Sequence, residues 1–128
     1  SAFGTFPQYH TSADNLDFIR PEHLGASCRL VLEAIDILET NAVPVSLNMK
    51  CEPQLGRRGL YAAIGGDKDA PKRSMAMLWV LNLSDGRHSL LDIAERAAIP
   101  YVDIARAAHL LEEHGLLRIE NLAANRGW

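Results

Sequence analysis

The chain has 128 residues, 48% of them hydrophobic and 23% charged, with a formal net charge of -3. That composition excludes a disordered tail, a collagen-like repeat and a disulfide-stapled mini-protein, and the length suits one average domain or two very small ones. A net negative chain has no global attraction for nucleic acid or an anionic membrane.

Residues 1–20 read as loop, punctuated by Gly4, Pro7, Ser12, Asp14 and Asn15, with a short strand expected at most over Phe3 to Phe6. A helix follows. Pro21 suits its first position, where a missing N–H costs nothing, and Glu22 complements the positive end of the dipole. Ile19 and Leu24 have the spacing of a hydrophobic staple. Leu24, Cys28, Val31, Ile35 and Leu38 form one apolar stripe on a helix that stops near Asn41. The stripe is expected to cover a sheet lying outside this chain, and therefore to pack on the second unit or drive self-association.

Residues 43–72 change character, with Pro44, Pro53, Gly56, Gly59, Gly65, Gly66 and Pro71 spread through them. They read as an extended connector with strands at most over Val43 to Leu47 and Gly59 to Ile64. Residues 73–120 read as three helices and a strand. Met75, Leu78, Trp79 and Leu83 give the first helix its expected buried face, and Asp85-Gly86 ends it. Ser89 is the N-cap of the second helix, with Asp92 as capping-box partner and Leu90, Ile93, Ala94 and Ala97 inward. The third helix runs from about Tyr101 to His114 with Val102, Ala105, Ala108 and Leu111 or Leu110 inward, and Gly115 terminates it. Leu116 to Glu120 alternates as a strand, and no partner strand is visible in Asn121 to Trp128, so any wing is short or absent. This unit is expected to be the more stable of the two.

Cys28 and Cys51 are too few for a disulfide framework and fit no zinc spacing. They read as buried small hydrophobes of a reducing, cytoplasmic protein. The longest apolar run, around Leu30 to Leu38, is broken by Glu33 and Asp36, so no membrane span is expected. Ser1 to Tyr9 lacks the basic and apolar regions of a signal peptide, and the opening without Met reads as the interior of a longer polypeptide.

His10 stands four residues before Asp14 in a loop, where an imidazole can reach a metal and a carboxylate can orient the ring or its loop. The pair by itself is a common hydrogen-bonded loop, and a catalytic zinc needs three protein ligands. His23 falls on the polar side of its helix, and His88, His109 and His114 lie far along the chain. Residues Tyr9 to Leu24, reading YHTSADNLDFIRPEHL, resemble the C-terminal end of the co-catalytic zinc aminopeptidase family. Asn48 to Tyr61 and Leu81 to Gly86 are similar to one bacterial subgroup, some of whose members are named polysaccharide-biosynthesis proteins with an aminopeptidase-like domain. A winged-helix-like domain follows the peptidase-like one there.

The resemblance implies that His10 is the last metal ligand and that Asp14 supports it without binding the metal. It implies an intact parent in which two zinc ions activate a water and polarise the scissile carbonyl of a peptide or aminoacyl substrate, while a carboxylate moves the proton. It implies mainly α structure with minor β. Residues 1–42 are then the tail of an α/β aminopeptidase-like domain, 43–72 a connector and 73–128 a winged-helix-like unit. The remaining ligands belong upstream, so the chain alone is expected to have no peptidase activity and to hold zinc no better than one exposed histidine does.

The helix-turn-helix pattern also invites a DNA-binding reading. The outward residues expected on its third helix are Tyr101, Asp103, Arg106, His109, Glu112 and Glu113, with one firm cation against three acids. Acids there repel phosphates. The expected partner is therefore protein, either the upstream part of the same polypeptide or a second copy. Basic residues collect instead at Lys50, Arg57, Arg58, Lys68, Lys72 and Arg73, read as a solvated loop with Arg57 or Arg58 pairing with nearby acids. Gly65-Gly66-Asp67 lacks the phosphate-loop pattern. Tyr61, Met75, Met77 and Trp79 read as packing residues, and Trp128 as an exposed terminal aromatic.

Overall fold

A computed structural model describes residues 4–51, 53–61 and 69–121. The elements are α1 (Pro21–Thr40), β1 (Ala42–Ser46), α2 (Ala70–Leu83), α3 (Leu90–Ala97), α4 (Tyr101–Glu113) and β2 (Leu117–Asn121). The chain divides into two compact units between Leu38 and Glu39.

In the first unit, residues 4–19 form successive turns rather than a strand. Gly4 at φ +77° turns the chain where the strand was expected, and Phe3 lies outside the described residues. Side chains hold the turns locally: Thr11 Oγ1 donates to the Gln8 carbonyl at 2.8 Å, and the Asp17 N–H donates to Asn15 Oδ1 at 2.9 Å. α1 begins at Pro21 as its sequence demands, and none of its residues is buried. Leu24, Val31, Ile35 and Leu38 are all exposed, as is Cys28. The expected burial of both cysteines is corrected here: Cys51 is exposed too, in a loop where its φ is +67°.

The second unit is three helices closed by a two-stranded antiparallel sheet, the mainly α, winged-helix-like class that the pattern over 73–120 implies. β2 does have a partner, and it comes from upstream. β1 pairs with it in the register Val43↔Glu120 and Val45↔Arg118. The other edge of β1 meets the turn after α2: the Ser46 N–H donates to the Ser84 carbonyl at 2.8 Å, and the Gly86 N–H to the Pro44 carbonyl at 3.2 Å. Pro44 is tolerated in this middle strand because that contact requires only its carbonyl.

Residues expected as connector therefore belong to the body of this unit. Leu55 is 0% exposed and Leu60 is also buried, side by side with Val80, Ile93, Ile104, Leu111, Leu116 and Leu117 in one core. The Leu55 carbonyl accepts from the Arg58 and Leu60 N–H groups, closing a loop that turns both leucines inward. Over Gly59 to Tyr61 there is no strand; residues 62–64 lie outside the described residues.

Two helix faces differ from expectation. α2 buries Ala76, Met77 and Val80, while Met75 and Leu78 are 51% and 43% exposed and Trp79 and Leu83 are partly buried. Apolar residues surround this helix, so size misleads and the stripe sits one residue over. α4 buries Ile104, Ala107, Ala108 and Leu111, with Val102 50% exposed. α3 follows its pattern, and both halves of the Ser89–Asp92 capping box are formed. Gly115 at φ +66° reverses the chain after α4 so that the Leu116 N–H reaches the Leu111 carbonyl at 3.0 Å.

Candidate functional site

His10 sits at φ +57°, a left-handed backbone that non-glycine residues adopt at a cost. Tyr9 and His10 meet ring to ring at 4.1 Å, and Phe6 holds Tyr9 edge-on at 5.5 Å while stacking on Phe18 at 5.8 Å. An aromatic cluster thus shapes the loop that presents the imidazole. The Asp14 N–H donates to the Thr11 carbonyl at 3.1 Å, and both His10 and Asp14 are exposed. Among the described residues no three His, Cys, Asp or Glu side chains gather to hold a metal. A single imidazole does not fit a catalytic zinc, which takes three protein ligands.

On α4, Arg106, His109 and Glu113 are exposed, and Tyr101, Asp103 and Glu112 half-buried. Each basic group lies beside an acid: Arg106 is 3.9 Å from Asp103, and His109 is 3.8 Å from Glu112. Glu112 Oε1 also accepts the Ile119 N–H at 2.8 Å, which ties α4 to β2. On β2 itself, Arg118 pairs with Glu120. Arg106 of α4 and Arg118 of β2 thus each stand beside a carboxylate.

The basic segment acts structurally in part. Arg57 or Arg58 was expected to pair with an acid; among the described residues Arg58 instead bonds carbonyls, its Nε donating to that of Pro53 at 3.1 Å and its Nη1 to that of His114 at 3.2 Å. The carbonyls at a helix C-terminus carry partial negative charge, so a guanidinium there replaces the missing helical donors. Lys68 lies outside the described residues. Asn41, expected only as a helix stop, also accepts the Leu91 N–H on its Oδ1 at 3.0 Å, satisfying the first turn of α3. Neither role has a sequence signal, because each depends on a partner at least fifty residues away.

The turn between α2 and α3 is held by charge. Asp85 Oδ1 accepts the Arg87 N–H at 2.9 Å and the His88 N–H at 3.1 Å, and the His88 ring stands 3.0 Å from Oδ2. The Arg87 amide, followed by the His88 side chain, lowers the Asp85 pKa to about 2. The Ser89 amide and hydroxyl similarly lower Asp92. Both carboxylates are committed to hydrogen bonds inside the fold, so neither offers a proton acceptor near neutral pH.

Comparison with known proteins places these features. A domain of unknown function (DUF4910) matches residues 1–41. A Clostridium acetobutylicum protein described as a "putative polysaccharide biosynthesis protein with aminopeptidase-like domain" is 47% identical over 119 residues, covering 93% of this chain and 27% of that protein. A crystal structure described as a "putative peptidase", also from Clostridium acetobutylicum, superposes with a TM-score of 0.76 at 42% identity, over 89% of this chain and 24% of the other. The chain thus spans about a quarter of the length of the relatives it matches. With the winged helix-turn-helix family matching residues 42–119, from the first residue of β1 into β2, the chain belongs to that family.

Proposed function

We propose that this chain is the C-terminal portion of a zinc-dependent aminopeptidase-like metallohydrolase, acting on a peptide or aminoacyl substrate. The observation that carries the reading is the 47% identity, over almost the whole chain, to a protein named for its aminopeptidase-like domain. In this reading His10 gives one imidazole to a zinc whose other ligands come from upstream polypeptide, and Asp14 steadies the loop. The left-handed backbone at His10 supports it, because local strain is retained where geometry serves a function. The apolar surface of α1 also supports it. At about 100° per residue, Leu30 and Ile37 fall on a different side from the Leu24–Leu38 stripe, with Glu22, Arg29, Glu33 and Asp36 gathered on one edge and His23 and Glu39 lying outside it. A helix apolar on most sides belongs inside a larger body. Exposed free cysteines suit a reducing, cytoplasmic setting. No described helix is long and apolar enough to cross a membrane.

The test is metal content and aminopeptidase activity of the full-length protein and its His10→Ala variant. Loss of one bound zinc with retained folding is the expected result; undiminished zinc and activity refutes the role of His10. The winged unit is assigned to protein contact, with the rest of its own polypeptide or a second copy, because Arg106 of α4 and Arg118 of β2 each stand beside an acid.

A further inference from the structure

We propose that the outer edge of β2 pairs antiparallel with the same edge of a second copy of this chain, about a two-fold axis through Ile119. The proposal rests on the assignment of the winged unit to protein contact, and names the surface and the partner. In an antiparallel pair, alternate residues turn their N–H and C=O toward the partner strand and the others turn theirs away. Pro44 lies opposite Ile119 and turns its carbonyl to the Gly86 N–H, on the far side of β1 from β2. Ile119 therefore turns its own backbone groups away from β1, toward the outer edge. The Glu112 side chain reaches that edge and accepts the Ile119 N–H at 2.8 Å. No hydrogen bond among the described residues ends on the Ile119 carbonyl. An edge of this kind is a template for another strand.

The charges choose that strand. Arg118 and Glu120 share the solvent face of β2, opposite to the face on which Leu117 is buried, and they form an ion pair. Across β1 on the same face stand Val43 and Val45, which carry no charge. With the axis at Ile119, Arg118 stands opposite Glu120 of the partner subunit, and Glu120 opposite Arg118 of the partner subunit. The four charges alternate in sign, so each has two opposite neighbours and the existing pair is kept. Opposite charges across a strand pair stabilise it and like charges oppose it. An axis one residue away sets Arg118 against Arg118 or Glu120 against Glu120, and uses backbone groups that already face β1. Glu112 guards the edge in the monomer, and its side chain, 39% exposed, returns to water when the strands meet. Each copy then exchanges its Glu112–Ile119 bond for a bond across the axis. The gain lies in the flanking backbone groups and the charges, over two strands of five residues, so the dimer is weak.

The test is sedimentation velocity of the full chain, its Arg118→Glu and Glu120→Arg variants, and an equimolar mixture of the two variants. The unmodified chain should dimerise with a Kd on the order of 100 μM. Either variant alone sets like charges across the axis at both positions and should weaken the dimer about tenfold, whereas in the mixture opposite charges meet again and association should be about tenfold tighter than in either variant. Association through the exposed face of α1 is the same in the mixture as in the separate samples, so the difference reads β2 alone. Should a variant lose its helical circular dichroism, the unmodified chain decides. A mixture of ¹³C-labelled and unlabelled chain should show an intermolecular Hα–Hα contact between Arg118 and Glu120, the close pair of that ladder. A mixture no tighter than its components, or no such contact in the unmodified dimer, overturns the edge pairing. If association persists unchanged in both variants, the edge is refuted while protein contact through another surface stands. A chain monomeric throughout refutes a second copy as the partner and leaves contact with the upstream polypeptide.

Discussion

Leu55→Ala is the sharpest test of where the winged unit begins. The residue lies in a segment rich in proline, glycine and charge, yet it is 0% exposed and packs in the core with the helices. Truncating a fully buried leucine removes three heavy atoms and leaves a cavity, at a cost of about 2–5 kcal/mol. Small domains have only about 5–15 kcal/mol in total. With a urea slope of ~1–2 kcal/mol/M, a loss of about 3 kcal/mol lowers the midpoint by ~1.5–3 M. Denaturation followed by tryptophan fluorescence reports the change, because Trp79 is partly buried against the core. Met49→Ala is the control: 88% exposed in the same segment, it should shift stability by under ~0.5 kcal/mol. If Leu55→Ala is as mild as Met49→Ala, residues 53–60 are a loose connector and the assignment of Leu55 to the core is wrong.

The other predictions follow from named contacts. Ser89→Ala removes the oxygen that accepts the Asp92 N–H at 3.2 Å and should destabilise the unit by ~1 kcal/mol in the same denaturation assay. The Asp85 pKa is depressed in the folded state from 3.8 to about 2, so its stabilising contribution is full above pH 3.8 and is lost as pH falls through about 2. Asp85→Asn should flatten the acid limb of a stability–pH profile in that window, and an unchanged limb would show that the turn does not depend on the charge. Duplex DNA should bind weakly, without sequence preference, and release at moderate salt. Sub-micromolar binding to one sequence over a scrambled control at physiological salt, lost on Arg106→Ala, would overturn the reading of α4.

Much of the helical part was legible from residue order because the forces that set it are local. Pro21 and Glu22 start α1, Ser89 and Asp92 close their capping box, and Gly115 adopts the left-handed turn that ends α4. Each involves residues within one turn of one another, so spacing alone identifies them. Burial is different. Whether Val102 or Ile104 faces inward, or Met75 or Met77, depends on which side of a broadly apolar helix meets its neighbours, and only packing decides that. The strand pairing was further out of reach. β1 and β2 are separated by all three helices of the unit, and a proline in the middle strand argues locally against pairing until the Gly86 N–H is found on its carbonyl.

For the candidate site, the residue types at His10 and Asp14 stood in the sequence, whereas the positive φ at His10 and the aromatic cluster around its loop came from the tertiary structure. A cavity lined by Met77, Ile99, Ala107 and Leu110 left no mark in the sequence, because its two walls come from segments about thirty residues apart that become neighbours only when the core closes. Local chemistry specified the ends and turns of the elements. Long-range burial of apolar surface chose which faces, which strands and which charged side chains came together.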